Sequence, residues 1–149
     1  MFVCTGNTCR SPMAQVIFEN YVKRQSTETI VVASSGISAM YGSPMARNSQ
    51  IALKKIANDD PEYIIPYDFE STVYKKKFLK DYDLIVCMTP SHKSALGESE
   101  HIIHFGELPG CMPVPDPYGG PLEEYIGVAE YISRNCGYIL EKLMSMKKS

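Results

Sequence analysis

The sequence predicts an α/β fold of three layers, a four-stranded parallel sheet with helices on both faces. Three observations predict it. Apolar runs at 29–33, 83–88 and 101–105 are short and nearly unbroken, as in strands that a parallel sheet buries on both sides. Stretches with helical periodicity lie between and after them, so strands and helices alternate along the chain. At the start, Met1-Phe2-Val3 passes through Gly6 and Asn7 into a helix signal at Ser11-Pro12, the order of a strand, a tight loop and a helix.

The first helix is expected over about 12–23, with Met13, Val16, Ile17, Phe18 and Tyr21 on its buried side. The second strand is expected at 29–33, ended by Ser34-Ser35-Gly36. A second helix over 44–57 carries Met45, Ile51, Ala52, Leu53 and Ile56. The stretch 58–68 reads as a surface connection pinned by Tyr63, Ile64 and Ile65, and a helix is expected around 70–80. The third strand is 83–88, after which Thr89-Pro90 suits the cap and first turn of a short helix. The fourth strand is 101–105, 106–120 is a proline- and glycine-rich loop, and 122–146 is one long closing helix.

A chain of 149 residues, 44% of them apolar, suits one domain (1–149) with its own core. Its net charge of −2 offers no general attraction to nucleic acid or anionic membrane, and the lysines at 75–77 and 147–148 read as solvated. No apolar run approaches a membrane span, and the N-terminus turns polar too soon for a secretory signal. The five cysteines are odd in number and irregular in spacing, which argues for a reducing cytoplasm rather than a disulfide framework. Without a Cys-x-x-Cys pair or histidines spaced around cysteines, no metal site is expected. His92, His101 and His104 have no evident partners and read as structural or exposed.

The chemistry is concentrated at Cys4-Thr5-Gly6-Asn7-Thr8-Cys9-Arg10-Ser11. A loop closing on a helix N-terminus aims backbone N–H groups at one point, and the helix dipole favours negative charge there. Cys4 is thus a candidate nucleophile inside an oxyanion cradle, although a cysteine at a strand end is by itself usually a packing residue. Gly6 lets the backbone approach a ligand, and Asn7 tolerates the left-handed conformation. Arg10 offers a planar fork to phosphoryl oxygens, and Ser11 can donate a hydrogen bond to the sulfur. Asp116, between Pro115 and Pro117, is what an ordinary turn would use. Beside a sulfur nucleophile it also supplies the required general acid and then base. Tyr118 can line the side of such a pocket.

Residues 4–14, together with Asp116-Pro117-Tyr118-Gly119, resemble the low-molecular-weight protein tyrosine phosphatase family. The resemblance extends over nearly the whole chain in element order. It implies a hydrolase without cofactor or metal, in which Cys4 forms a phosphocysteine intermediate, Arg10 clamps phosphate and Asp116 moves the protons. Thr5, Gly6, Asn7, Thr8, Cys9, Ser11 and Tyr118 become substrate-binding residues, and Ser34 matches the serine that holds the loop asparagine. The partner implied is a phosphorylated protein, the product inorganic phosphate.

Two departures stand out. Fewer residues precede Cys4 than in that family, which predicts a short first strand or a start lying upstream. The histidine that the family often has after the second helix to support the loop is also absent, the chain having only His92, His101 and His104.

Thr8 bears on the substrate. Tyrosine-specific members usually carry a larger aliphatic residue there, whereas a branch acting on phosphoarginine has threonine. Met88-Thr89, His92-Lys93 and the double glycine after Tyr118 also look like that branch, while Tyr118 fits the tyrosine phosphatases. The balance favours phosphoarginine. Cys9 is near enough in sequence to trap Cys4 as a protective disulfide, or is simply a buried thiol. Of the rivals, a thiol-coupled arsenate reductase needs a further cysteine pair on a mobile segment, and 88–100 has no cysteine. A non-catalytic oxyanion-binding domain would not need Asp116 together with Cys4 and Arg10.

Overall fold

The computed structural model describes residues 1–25 and 29–146; Lys147 and Lys148 lie outside them. Four parallel strands, β1 (Phe2–Cys4), β2 (Ser34–Gly36), β3 (Ile85–Cys87) and β4 (Ile102–His104), form one sheet in the order β2-β1-β3-β4. Alternating side chains divide the interior in two. Phe2, Cys4, Val86 and Ile103 face the larger core, built with α1 (Arg10–Gln25), α2 (Arg47–Ala57), α5 (Leu122–Arg134) and α6 (Cys136–Met146). Val3, Ile85, Cys87 and Ile102 face a smaller core covered by Phe78 and Leu79 of α3 (Phe78–Asp81) and Leu96 of α4 (Pro90–Leu96). The three-layer α/β fold expected from the sequence is therefore present.

Several elements differ from expectation. Residues 29–33 lie outside the ladder, save that the Ala33 carbonyl accepts from the Phe2 N–H at 2.9 Å; β1 takes its partners from Ser34–Gly36 in the register Phe2↔Ser34 to Cys4↔Gly36. Ile30 and Val32 still pack on the larger core while Val31 is exposed, so the alternation is strand-like without a ladder. The helix expected over 70–80 is reduced to α3. Val73 bridges to Gly36 instead, with Gly36 N–H on the Thr72 carbonyl and Tyr74 N–H on the Gly36 carbonyl (both 2.9 Å). The closing helix is broken at Asn135, where Asn, Cys and Gly in succession lower helix propensity. The Asn135 amide donates to the Tyr131 carbonyl at 2.8 Å. Tyr63 and Ile65 pin the 58–68 connection, but Ile64 is exposed and is held by its backbone, through paired hydrogen bonds to the Asn20 amide. No helix among the described residues is long and apolar enough to cross a membrane.

Candidate active site

The loop from Cys4 to Arg10 leaves the carboxyl end of β1 and runs directly into α1, which starts at Arg10, two residues earlier than Pro12. Hydrogen bonds from several elements hold it. Asn7 is fully buried and left-handed, with φ 55°. Its side-chain NH₂ donates to Ser11 Oγ (2.8 Å) and Ser34 Oγ (3.0 Å), and its Oδ1 accepts from the Thr72 N–H (2.9 Å). Its carbonyl accepts from Ser71 Oγ at 2.7 Å. Ser34 in turn donates to Gln15 Oε1 at 2.6 Å. Ser71 and Thr72 thus support the loop on the side where no histidine was found.

Ser11 Oγ lies 2.8 Å from Cys4 Sγ. Since Ser11 accepts from Asn7, its single proton is free for the sulfur, the Ser35 carbonyl being farther away at 3.4 Å. The Thr8 carbonyl accepts from the Ala46 N–H (2.9 Å) and Ser49 Oγ (3.3 Å). Ile37 and Ser38 N–H groups bond the Cys4 and Thr5 carbonyls at 3.0 and 2.9 Å. A Cβ at Gly36 would stand 2.5 Å from the Thr5 carbonyl oxygen and 2.9 Å from the Asn7 nitrogen, so this approach of β2 requires glycine. At Gly6 a Cβ would meet nothing closer than Thr8 Oγ1 at 3.8 Å, so the room there lies outside the packed protein.

Arg10 is 6% exposed, a buried cation that needs partners. Nη1 donates to the Val114 carbonyl (3.2 Å), and Nη2 stands 3.5 Å from Asp116 Oδ2. Asp116 is half exposed, and its Oδ1 accepts from the Tyr118 N–H at 3.0 Å, closing an Asx turn. Tyr118 projects into solvent. The structure thus joins Cys4, Ser11, Asn7 and Ser34 in one hydrogen-bond network and brings Asp116 to Arg10 from a loop more than a hundred residues away. A buried sulfur, a forked cation and a solvent-facing carboxylate can together accept a tetrahedral oxyanion, attack it and exchange protons with water.

Cys4 and Cys9 are both free thiols; Cys9 Sγ lies 3.6 Å from Thr8 Oγ1 and donates to the Tyr125 hydroxyl at 3.8 Å. Burial, with the contact to Cys9, pushes Tyr125 up to about 12. Burial likewise raises Cys87 and Cys136 to about 12, in keeping with packing roles.

The histidines do have partners. His101 Nδ1 pairs with the Asp83 carbonyl (3.0 Å) and His104 Nδ1 accepts from the Gly106 N–H (3.1 Å). His92 is buried, with Nε2 2.8 Å from Thr5 Oγ1 and Nδ1 3.1 Å from Thr89 Oγ1. Its pKa is pushed down to about 4, first by burial and then by the Arg10 cation, with Asp116 opposing. Sequence reasoning missed Ser71, Thr72 and the close approach at Gly36, and it named His92 without its contact to the loop. The one available signal was Thr89-Pro90, which fixes the helix that carries His92.

Comparison with known proteins finds one family over the whole chain. The family described as low molecular weight phosphotyrosine protein phosphatase matches residues 1–149. The chain is 33% identical over 131 residues to the low molecular weight protein-tyrosine-phosphatase PtpB of Staphylococcus haemolyticus, covering 83% of this chain and 84% of the relative. It is 28% identical over 152 residues to a protein-arginine-phosphatase of Geobacillus stearothermophilus, covering 97% and 95%. Among solved structures, a low molecular weight protein tyrosine phosphatase from T. tengcongensis superposes with a TM-score of 0.84 at 35% identity, covering 95% and 96%. The YwlE arginine phosphatase from Geobacillus stearothermophilus gives 0.81 at 29%, covering 97% and 91%. With the whole of 1–149 matched, and with Cys4 at the end of β1 bonded to Ser11 at the head of α1, the chain belongs to the low molecular weight phosphotyrosine protein phosphatase family.

Proposed function

We propose that this phosphatase hydrolyses phosphoarginine in proteins by way of a phosphocysteine intermediate. Cys4 Sγ attacks phosphorus while Arg10 holds the equatorial oxygens, with the loop amides of Thr5 to Cys9 around them and Tyr118 beside the pocket. As the P–N bond breaks, Asp116 gives its proton to the departing guanidine nitrogen. Water then attacks phosphorus and the S–P bond breaks, Asp116 taking the water's proton while the Ser11 hydroxyl donates to the leaving sulfur. Inorganic phosphate is released and the thiolate restored. The observation that carries this reading is the 2.8 Å contact of Ser11 Oγ with Cys4 Sγ, held by Asn7. No step calls for a metal or cofactor. Five free cysteines support a reducing cytoplasm as its setting.

Support for phosphoarginine comes from Thr8, half-buried in the loop with its hydroxyl beside Cys9, and from the arginine phosphatases among the relatives. The second reading, phosphotyrosine, is favoured by the exposed Tyr118 ring, which can stack on an aromatic substrate, and by the tyrosine phosphatases among the relatives. Matched phosphoarginine and phosphotyrosine peptides decide between them. Wild type prefers phosphoarginine and Thr8→Ile shifts the ratio of kcat/KM towards phosphotyrosine by about tenfold or more. An unchanged ratio removes Thr8 from the argument. The reading includes a reversible Cys4–Cys9 disulfide under oxidation. Thiol should then restore peroxide-treated wild type but not Cys9→Ser, and equal recovery rules that part out.

A further inference from the structure

The side chain of His92 is turned from α4 towards the phosphate loop, although nothing in the chemistry of the reaction calls for an imidazole there. Thr89 caps α4, accepting from the His92 N–H at 3.4 Å, and this places His92 on the first turn with only 4% of its surface exposed. A buried imidazole needs partners at both nitrogens. Here Nδ1 meets the Thr89 hydroxyl and Nε2 the Thr5 hydroxyl. Thr5 follows the nucleophile in sequence and is itself exposed, so the packed core does not fix its side chain. Its carbonyl is tied to Ser38 beyond β2, while its hydroxyl is tied to His92 beyond β3. The residue beside Cys4 is thus clamped from both flanks of β1.

We propose that His92 is a positioning residue of the phosphate loop, holding the Thr5 hydroxyl and through it the Thr5–Gly6 stretch where phosphoryl oxygens are received. The proposal rests on the phosphatase reading of that loop. Imidazole suits the task because burial and the neighbouring Arg10 keep it neutral. It supplies a hydrogen bond without a second cation to compete with Arg10 for Asp116 or for substrate.

The test is a double-mutant cycle read by turnover of an aryl phosphate and by calorimetric binding of inorganic phosphate. His92→Leu and Thr5→Val should each lower kcat/KM about tenfold and weaken phosphate binding in parallel, and the double variant should be no worse than either. His92→Gln, whose amide reaches about as far as Nε2, should recover most of the loss. Thr5 is exposed, so Thr5→Val gives a reading even if His92→Leu folds poorly. Losses that multiply in the double variant, or single variants as active as wild type, overturn the proposal. A wild type that neither binds phosphate nor turns over the ester would instead overturn the phosphatase reading beneath it.

Discussion

Ser11 has one proton to give, and the sulfur stands nearer to it than the Ser35 carbonyl does. With the Asn7 amide occupying a lone pair of Ser11, the hydroxyl hydrogen is left for the sulfur 2.8 Å away. A hydrogen bond to a charged group contributes roughly 1.5–3 kcal/mol, so Ser11→Ala should slow kcat about 10- to 100-fold on an aryl phosphate. Steady-state kinetics check this, and an unchanged kcat contradicts the assignment. His92 carries a stability prediction. Its pKa of about 4 in the fold lies below the 6.5 of a free histidine. Between those values the unfolded chain binds a proton that the folded chain does not, so this group's contribution to stability falls as pH drops through the window. Urea midpoints at about pH 7 and about pH 4.5 should drop more for wild type than for His92→Gln; equal drops contradict it. At this scale, Cys4, Asn7, Arg10 and Ser11 were readable as candidates because they fall within one short motif, and Asp116 entered as the proton donor that a sulfur nucleophile requires. Ser71 and His92 were not, because they reach the loop across 64 and 87 residues of sequence.

Elements position the site chiefly through β2. The apolar run 29–33 looks like the better strand, yet the ladder lies at Ser34–Gly36, because that register brings Ser34 to Asn7 and Gly36 against the loop backbone. Small polar residues have no strand signature of their own, so pattern reading set this strand too early and took Ser34-Ser35-Gly36 for its end. The same holds for 70–80, where Ser71, Thr72 and Val73 are drawn out of any helix by bonds to Asn7 and Gly36. Gly36→Ala should push the Thr5 carbonyl and Asn7 amide apart, lower kcat/KM by about tenfold or more, and cost about 1–3 kcal/mol of stability. Kinetics and urea unfolding together check it. A variant with normal kinetics would show that the close approach is not needed.

Over the whole molecule, the strand order β2-β1-β3-β4 places a switch point between β1 and β3, where α1 leaves on one face and α4 on the other. Cys4 ends β1 there, and Thr89 opens α4 there from the end of β3. The alternation of strands and helices was enough to foresee a parallel sheet covered on both faces, which explains why the fold was readable even where strand limits were not. Stability and chemistry separate accordingly. Ile132, fully buried in α5, belongs to the larger core and has no place in the loop network. Ile132→Ala should cost about 2–5 kcal/mol in urea unfolding while kcat of the folded protein stays within about twofold. A large loss of kcat would tie the core to the loop. The proposed chemistry depends on the sulfur at the end of β1, and rapid acid quench during turnover of an aryl phosphate, followed by mass spectrometry, tests it most directly. Phosphate should appear on Cys4 in wild type, and Cys4→Ser should not turn over; full turnover by Cys4→Ser, or phosphate found only elsewhere, would contradict it.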